Sequence, residues 1–365
     1  MREMYEKGVK MDSLYDKTKK IYSILEDEIS KEIFAAQLNF RATGDISYMR
    51  NLSMRYRNLS ADIENFADKL CNHGDDRLVA FGAGANGRDL VYTFSNLPWI
   101  GFIDNFRNDK FDDRTKLPVF SLQYYEEKYG LEHTKYVITV YRRENVEAIR
   151  NQLLEKGVDV NNIISIPDWR NNCSQYFDVF VPNKNESFVD CGCYDGSTAF
   201  RFAGWCAGGG MKYDKIWSFE PDPKSFVKCE TVLSSLQNCQ VYPYGISDHH
   251  GKVQFMANGY ENAKIVNKPD KRELLQTIEV VKLDDILKNQ RVSFIKMDIE
   301  GAEYDALKGA EQIIKEQKPR LAISVYHNAS HFIEIPQLLL SYRADYKFYL
   351  RHYSLLANEV VLYAE

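Results

Sequence analysis

Short apolar runs alternate with segments of helical periodicity along most of the chain, and their order predicts two successive α/β units preceded by helices. In residues 1–76, the stretch DSLYDKTKKIYSILEDEISKEIFAAQLNFRATG places apolar side chains at three- and four-residue spacing, the mark of helices with one face to bury. The aromatic and methionine positions between Tyr48 and Tyr56 read as part of that core. A strand is expected over Arg77–Phe81, running into GAGANG (Gly82–Gly87) and a helical RDLVYTF. WIGFIDN puts Asp104 at the end of the next strand. With LPVFSLQYYEEKY, YVITVYR and a helix over Glu144–Lys156, the first alternation closes by Ile166 and predicts a small unit over residues 77–170. Prolines and polar residues in IPDWRNNCSQYFDVFVPNKNE predict a connector over residues 171–184, in which Tyr176–Val181 can pack against the following unit.

The second alternation, residues 185–365, opens on SFVDCGCYDGST, a buried strand that turns tightly into a helix. Gly192 and Gly196 allow close backbone approach in that turn. A strand over Ile216–Phe219 ends in Glu220, and a third near Cys239–Tyr242 leads to YGISDHHGKVQF. There Ser247 and Asp248 can approach an adenine edge, while His249 and His250 beside Gly251 read as an exposed hairpin turn. Met256–Glu273 is polar and aperiodic, a candidate lid or acceptor loop. Its Lys264, Lys268, Lys271 and Arg272 are either a solvated face or an attractor for an anionic acceptor. The strand VSFIKM runs into DIEGAE, with Asp298, Glu300 and Glu303 around Gly301, and Arg320–Val325 delivers Tyr326, His327 and Asn328 to the adjoining edge. YKFYLRHYS and NEVVLYA close the chain as an antiparallel pair, since their short connection cannot hold a crossover helix.

In an open parallel sheet the strand ends converge on one crevice, so Gly192, Glu220 and Asp298 are expected to share it. Glu220 stands where ribose hydroxyls are commonly held. The loop beginning at Asp190 is D-x-G-x-x-x-G, unlike the G-x-G-x-x-G that admits a pyrophosphate, which favours a nucleoside ligand; by itself it leaves nicotinamide and S-adenosylmethionine open. Asp298 and His327 suit two chemistries. They can hold a divalent ion such as magnesium, with Asn328 adding an oxygen and Glu300 competing with Asp298 for the ion, or His327 can accept a hydroxyl proton while Asp298 positions the acceptor. Glu303, in a helix's first turn, reads as a charge favouring the helix dipole. In the first unit, Gly82, Gly84, Gly87 and Asp104 are candidates for a nucleotide or nucleotide-sugar site, or else for packing alone.

Composition narrows this little. The chain has 365 residues, 44% hydrophobic and 27% charged, enough for two cores, and its net charge of −5 gives no general argument for a nucleic-acid partner. No apolar run approaches a membrane span, and MREMYEKGVKMDSLYDKTKK lacks the apolar centre of a secretory signal. The seven cysteines are scattered, which predicts reduced thiols and a cytoplasmic setting.

Taken together, VDCGCYDGST, FEPDP, GISDHHG, KLDDIL, KMDIEGAE and YLRHYS…NEVVLYA resemble the FkbM-type family of S-adenosylmethionine-dependent methyltransferases, over roughly Asn185–Glu365. The resemblance implies a seven-stranded methyltransferase sheet and methyl transfer to a hydroxyl of a sugar, polysaccharide or related natural product. It implies Asp190, Gly192, Asp195, Gly196, Glu220 and Asp248 as cofactor-binding residues, with the two glycines bordering the methionine end, Glu220 holding ribose and Asp248 near adenine. FGAGANG and FIDN resemble small Rossmann-like units that bind nucleotide sugars. Alternatives that the residues leave open are a nicotinamide-dependent sugar oxidoreductase, favoured by FGAGANG, and a non-catalytic nucleotide-sugar- or saccharide-binding protein, favoured if Cys193 or Tyr194 fills the crevice.

Overall fold

The computed structural model describes residues 14–55, 61–107, 110–167, 175–256, 264–265, 275–354 and 358–365. Two compact units are present, one of residues 35–172 and 353–358, the other of residues 1–34, 173–352 and 359–365. The helix Glu28–Thr43 is thus divided between them.

The first unit holds strands β1 (Arg77–Phe81), β2 (Trp99–Ile103), β3 (Val119–Phe120), β4 (Thr134–Ile138) and β5 (Ile163–Ser165), all parallel, in the order β3-β2-β1-β4-β5. Their near-continuous apolar character follows from burial on both faces: Leu78 and Ala80 join one core with Phe66, Leu70, Leu90 and Phe102, while Val79 and Phe81 join another with Tyr125, Tyr136 and Leu153. The order reverses between β1 and β4, and the Gly82–Gly87 loop leaves β1 there to enter the helix Ala85–Thr93.

The second unit is built on β6 (Glu186–Cys191), β7 (Tyr213–Phe219), β8 (Cys239–Tyr242), β9 (Gly245–Ile246), β10 (Gly251–Met256), β11 (Lys264–Ile265), β12 (Leu275–Val281), β13 (Phe294–Met297), β14 (Arg320–Ser324), β15 (Phe348–His352) and β16 (Val360–Ala364). Seven of them form the sheet β15-β16-β14-β13-β6-β7-β8, parallel except for β16, which runs against both β14 and β15 as the short final connection requires. Phe188, Phe202 and Phe294 anchor one face, the first two stacked at 4.3 Å.

Several stretches differ from their sequence reading. The early helices do not form one region: Ile21, Leu25 and Phe34 are buried within the second unit, where Phe34 stacks on Phe332 at 4.9 Å. Glu26 N donates to Phe348 O, and Leu350 N to Ser30 Oγ at 2.8 Å, so this segment covers the outer edge of β15. Within the expected connector the apolar stretch Tyr176–Val181 does pack on the second unit, with Phe177 and Phe180 against Phe188, Phe294 and Tyr363. His249 and His250 do occupy an exposed turn, yet not a hairpin. Strand β12 inserts between β9 and β10, parallel to the first and antiparallel to the second, and buries Ile278 and Val280 against Phe255. Of the candidate lid, Lys264 lies on β11, whereas Lys268, Lys271 and Arg272 fall outside the described residues. Among the described residues no helix is long and apolar enough to cross a membrane.

The glycine loop of the first unit makes a sharp prediction. A β-carbon on Gly87 would lie 2.0 Å from Gly82 O, whereas one on Gly84 meets nothing within 4 Å. Gly87→Ala should therefore lower stability in urea unfolding by about 1–3 kcal/mol, and Gly84→Ala should leave it within about 0.5 kcal/mol.

Candidate functional site

The carboxyl ends of β6, β7 and β13 meet in one crevice of the second unit, lined by Gly192, Tyr194, Glu220, Asp298 and Glu300 and walled by Ile246, Phe255 and Ile278 from the small sheet. Including its open mouth it encloses about 590 Å³. Gly192 N and Cys193 N both donate to Phe219 O, and Asp298 N donates to Cys191 O at 3.1 Å, so the three strand ends are tied by backbone.

Below the crevice floor sits a buried ammonium. Lys296 Nζ donates to Gly192 O at 2.8 Å and Cys191 O at 3.3 Å, and stands 3.0 Å from Asp190 Oδ1. Burial opposes its charge, but Asp190 and Asp298 outweigh that and hold it protonated. Burial likewise pushes the Asp190 carboxyl up, against the pull of Lys296. Asp190 is thus wholly buried and holds the loop from beneath, away from the crevice lining.

The two loop glycines answer first to packing. Gly192 has φ 78°, and a β-carbon there would lie 2.1 Å from Asp298 O; on Gly196, φ 81°, it would lie 2.9 Å from Leu233 Cγ. Gly192 nevertheless lines the crevice, while Gly196 faces the helix Pro223–Leu233. Asp195 Oδ1 accepts from Ser197 N at the start of the next helix. Cys193 is turned into the core, whereas Tyr194 lines the crevice.

Glu220 caps both loops. Its Oε2 accepts from Tyr194 N and its Oε1 from Asp222 N, each at 2.9 Å. Burial, helped by the Asp222 charge and resisted by those two amides, raises its carboxyl to about 7. Asp248 lies elsewhere, outside the crevice lining, paired with His249 and with Lys308 Nζ. Those partners, His249 first, hold it below the usual carboxylate range. The adenine-side expectation for Asp248 is therefore not met by its placement, because the turn that carries it is drawn toward Lys308.

Asp298 and His327 do meet. The turn at Glu300 (φ 55°) and Gly301 (φ 102°) folds the chain so that His327 Nε2 stands 3.5 Å from both Asp298 Oδ1 and Glu300 Oε1. His327 Nδ1 lies 2.8 Å from Glu303 Oε1, and Glu303 also accepts from Ile299 N and Gly301 N. Burial opposes the imidazolium, but Glu300, Glu303 and Asp298 raise its pKa well above the ordinary value. Those carboxylates favour the protonated ring, unlike the neutral imidazole that a proton acceptor needs. Asn328 does not join the cluster; its Oδ1 accepts from Ser330 N within its own turn.

Two residues escaped the sequence reading. Tyr176 OH donates to Asp298 Oδ2 at 2.7 Å, and burial keeps its phenol protonated for that role. Glu303 reads as a helix-dipole charge and indeed starts the helix Glu303–Lys308, yet it is wholly buried beneath two histidines, His327 and His331. Its signal was the spacing G-A-E after Gly301, which returns the carboxylate to the turn's own amides.

The first unit shows no comparable convergence at its glycine loop. Asp104 Oδ2 accepts from Ala83 N, and Oδ1 accepts from Phe106 N and Arg107 N, so the carboxylate ties the loops together. Among the described residues, one cleft in this unit lies toward the other end of the sheet, among Lys69, Asn72, Lys135 and Arg150.

With this geometry in hand, residues 190–348 match the methyltransferase FkbM domain. Within the chain, a segment is 27% identical over 150 residues to the 2-O-methyltransferase NoeI of Sinorhizobium fredii, covering 36% of this chain and 59% of that protein. The match thus spans about three-fifths of the relative's length. The crystal structure of methyltransferase FkbM from Methylobacillus flagellatus superposes with a TM-score of 0.51 at 20% identity, over 93% of this chain and 99% of that one, which shows a shared fold.

Tyr176→Phe removes one hydrogen bond to a carboxylate and no packing. It should cost about 1.5–3 kcal/mol in urea unfolding. Gly192→Ala, which drives a β-carbon into Asp298 O, should cost more than Tyr176→Phe, and the reverse order would contradict the packing role of that glycine.

Proposed function

We infer from residues 190–348, which form a methyltransferase FkbM domain, that the chain transfers a methyl group from S-adenosylmethionine to a hydroxyl of a sugar, polysaccharide or related natural product. The observation that carries this reading is the joint placement of Glu220 and Asp298 on one crevice. The name of the NoeI relative supports oxygen as the receiving atom.

The crevice residues fit the cofactor. Each Glu220 oxygen takes one backbone N–H and keeps a lone pair for a ribose hydroxyl. Ile246, Phe255 and Ile278 offer an apolar wall for a planar base. No phosphate-cradling glycine pattern follows β6, in keeping with a nucleoside that carries no phosphate. The concentration of carboxylates at Glu220, Asp298 and Glu300 favours a cationic ligand over an anionic one.

When bound, S-adenosylmethionine supplies a methyl group already activated on a sulfonium, so no protein nucleophile is needed. The task left to the chain is alignment, which in favourable cases contributes about 7–11 kcal/mol. Tyr176 occupies Asp298 Oδ2 and leaves Oδ1 toward the crevice, where it orients the acceptor hydroxyl. His327, outside the lining and 3.5 Å from Oδ1, in turn positions that carboxylate.

Titration calorimetry on the full chain should show binding of S-adenosylmethionine and its demethylated product, weakened at least about tenfold in Glu220→Ala. Failure of the folded chain to bind either, with clear binding of a nicotinamide cofactor, would overturn the assignment. Ribose hydroxyls donate to the ionised carboxylate, so affinity should rise as pH increases through about 7 and be flat in Glu220→Gln. Stability moves the opposite way. With its folded pKa raised, Glu220 contributes stability below about pH 4.3 that is lost as pH rises through about 7.

A further inference from the structure

We propose that Asp298, Glu300 and His327 Nε2 form a site for one divalent transition-metal cation, with Glu303 and Tyr176 as its positioning residues. The His327 side chain is only 8% exposed, yet its Nε2 atom makes no hydrogen bond, and neither does Asp298 Oδ1. The buried Nε2 edge faces two carboxylates without a hydrogen bond to either, an arrangement that a cation between them would satisfy. The space before Nε2 is bounded by Asp298 Oδ1 and Glu300 Oε1, each 3.5 Å from that nitrogen. Donors about 2.0–2.2 Å from a common cation lie about 3.0–3.5 Å apart, which both separations from Nε2 approach.

The far side of both central ligands is already fixed. Tyr176 OH holds Asp298 Oδ2 at 2.7 Å, which turns Oδ1 toward the shared space. Glu303 Oε1 takes the Nδ1 proton of His327 at 2.8 Å, which leaves the lone pair on Nε2; a carboxylate behind a histidine ligand is the usual means of setting that tautomer. Glu303 is itself held by Ile299 N at 3.0 Å and Gly301 N at 3.2 Å. Although its carboxylate lies within 4.8 Å of the Asp298 and His327 donors, this engagement makes it a support rather than a ligand. The set differs from the sequence expectation of Asp298 with Asn328, because Asn328 Oδ1 is spent on Ser330 N.

One imidazole nitrogen with two carboxylates suits Mn2+ or Zn2+ better than Ca2+, which takes about 6–8 oxygens. Asp298 and Glu300 also line the crevice, so such a cation would face the acceptor hydroxyl; that much rests on the methyl-transfer reading.

The test uses the full chain, stripped with EDTA and titrated with Mn2+ alone, free Mn2+ being read by electron paramagnetic resonance. One Mn2+ per chain is expected. Asp298→Asn, Glu300→Gln and His327→Gln should each weaken it at least tenfold, and Glu303→Gln about 10- to 100-fold. Circular dichroism checks each fold, and Glu300→Gln, on a partly exposed turn, serves if the buried variants fail to fold. For Glu303→Gln, unchanged affinity for S-adenosylmethionine measured in EDTA would separate positioning of the metal from general damage. Mn2+ binding absent below millimolar concentration, or equal in wild type and folded variants, would overturn the site. Because S-adenosylmethionine binding is measured separately without metal, its presence alongside failed Mn2+ binding would sink this inference alone, and the converse would sink only the methyl-transfer reading.

Discussion

The site depends on a single buried ammonium. Lys296 carries three donors and finds three partners, the carbonyls of Cys191 and Gly192 and the carboxylate of Asp190. Its stem belongs to β13 and its head to the loop after β6, so it fixes the height of that loop against the neighbouring strand. A buried charge without this satisfaction would cost several kcal/mol, of order 3–5 when one partner of a buried pair is lost. The ring of Tyr176 lies 5.4 Å over the same ammonium while its hydroxyl holds Asp298, so one tyrosine serves both the floor of the crevice and its acidic edge.

Much of this was legible because it sits at strand ends. Glu220 follows β7 and Asp298 follows β13, and parallel strands deliver their carboxyl ends to one side whatever the loops do. What stayed hidden needed partners far away in sequence. Nothing local marks Tyr176 as a partner of Asp298, 122 positions on. Glu303 has two compatible roles, one visible in any helix's first turn and one that exists only once His327 arrives from β14. The small sheet was missed because β9 and β11 are two residues each and β12 pairs out of order. For Asp104 the reverse held: a persuasive fingerprint placed it well, but its oxygens are committed to its own loops.

Electrostatics distinguishes the two units. At the crevice, carboxylates keep oxygens directed at open space, and burial raises Glu220 while neighbouring carboxylates raise His327. At the glycine loop of the first unit, the acidic group is surrounded by amides and an arginine, with Arg107 donating to Ala83 O. The same order of strand, glycine turn and helix thus yields a poised edge in one unit and a tied one in the other.

Tyr176 bears on where the molecule can be cut. It lies before residue 190, where the recognised domain begins, and β16 lies after residue 348, where it ends. A fragment trimmed to those limits would lose Phe177, Phe180 and Phe188 from beside Phe294, leave that ring open to water, and remove the hydroxyl that aims Asp298. The inherited catalytic segment and the smallest self-sufficient piece are different objects here, and transplanting the chemistry to another scaffold means carrying the flanks along.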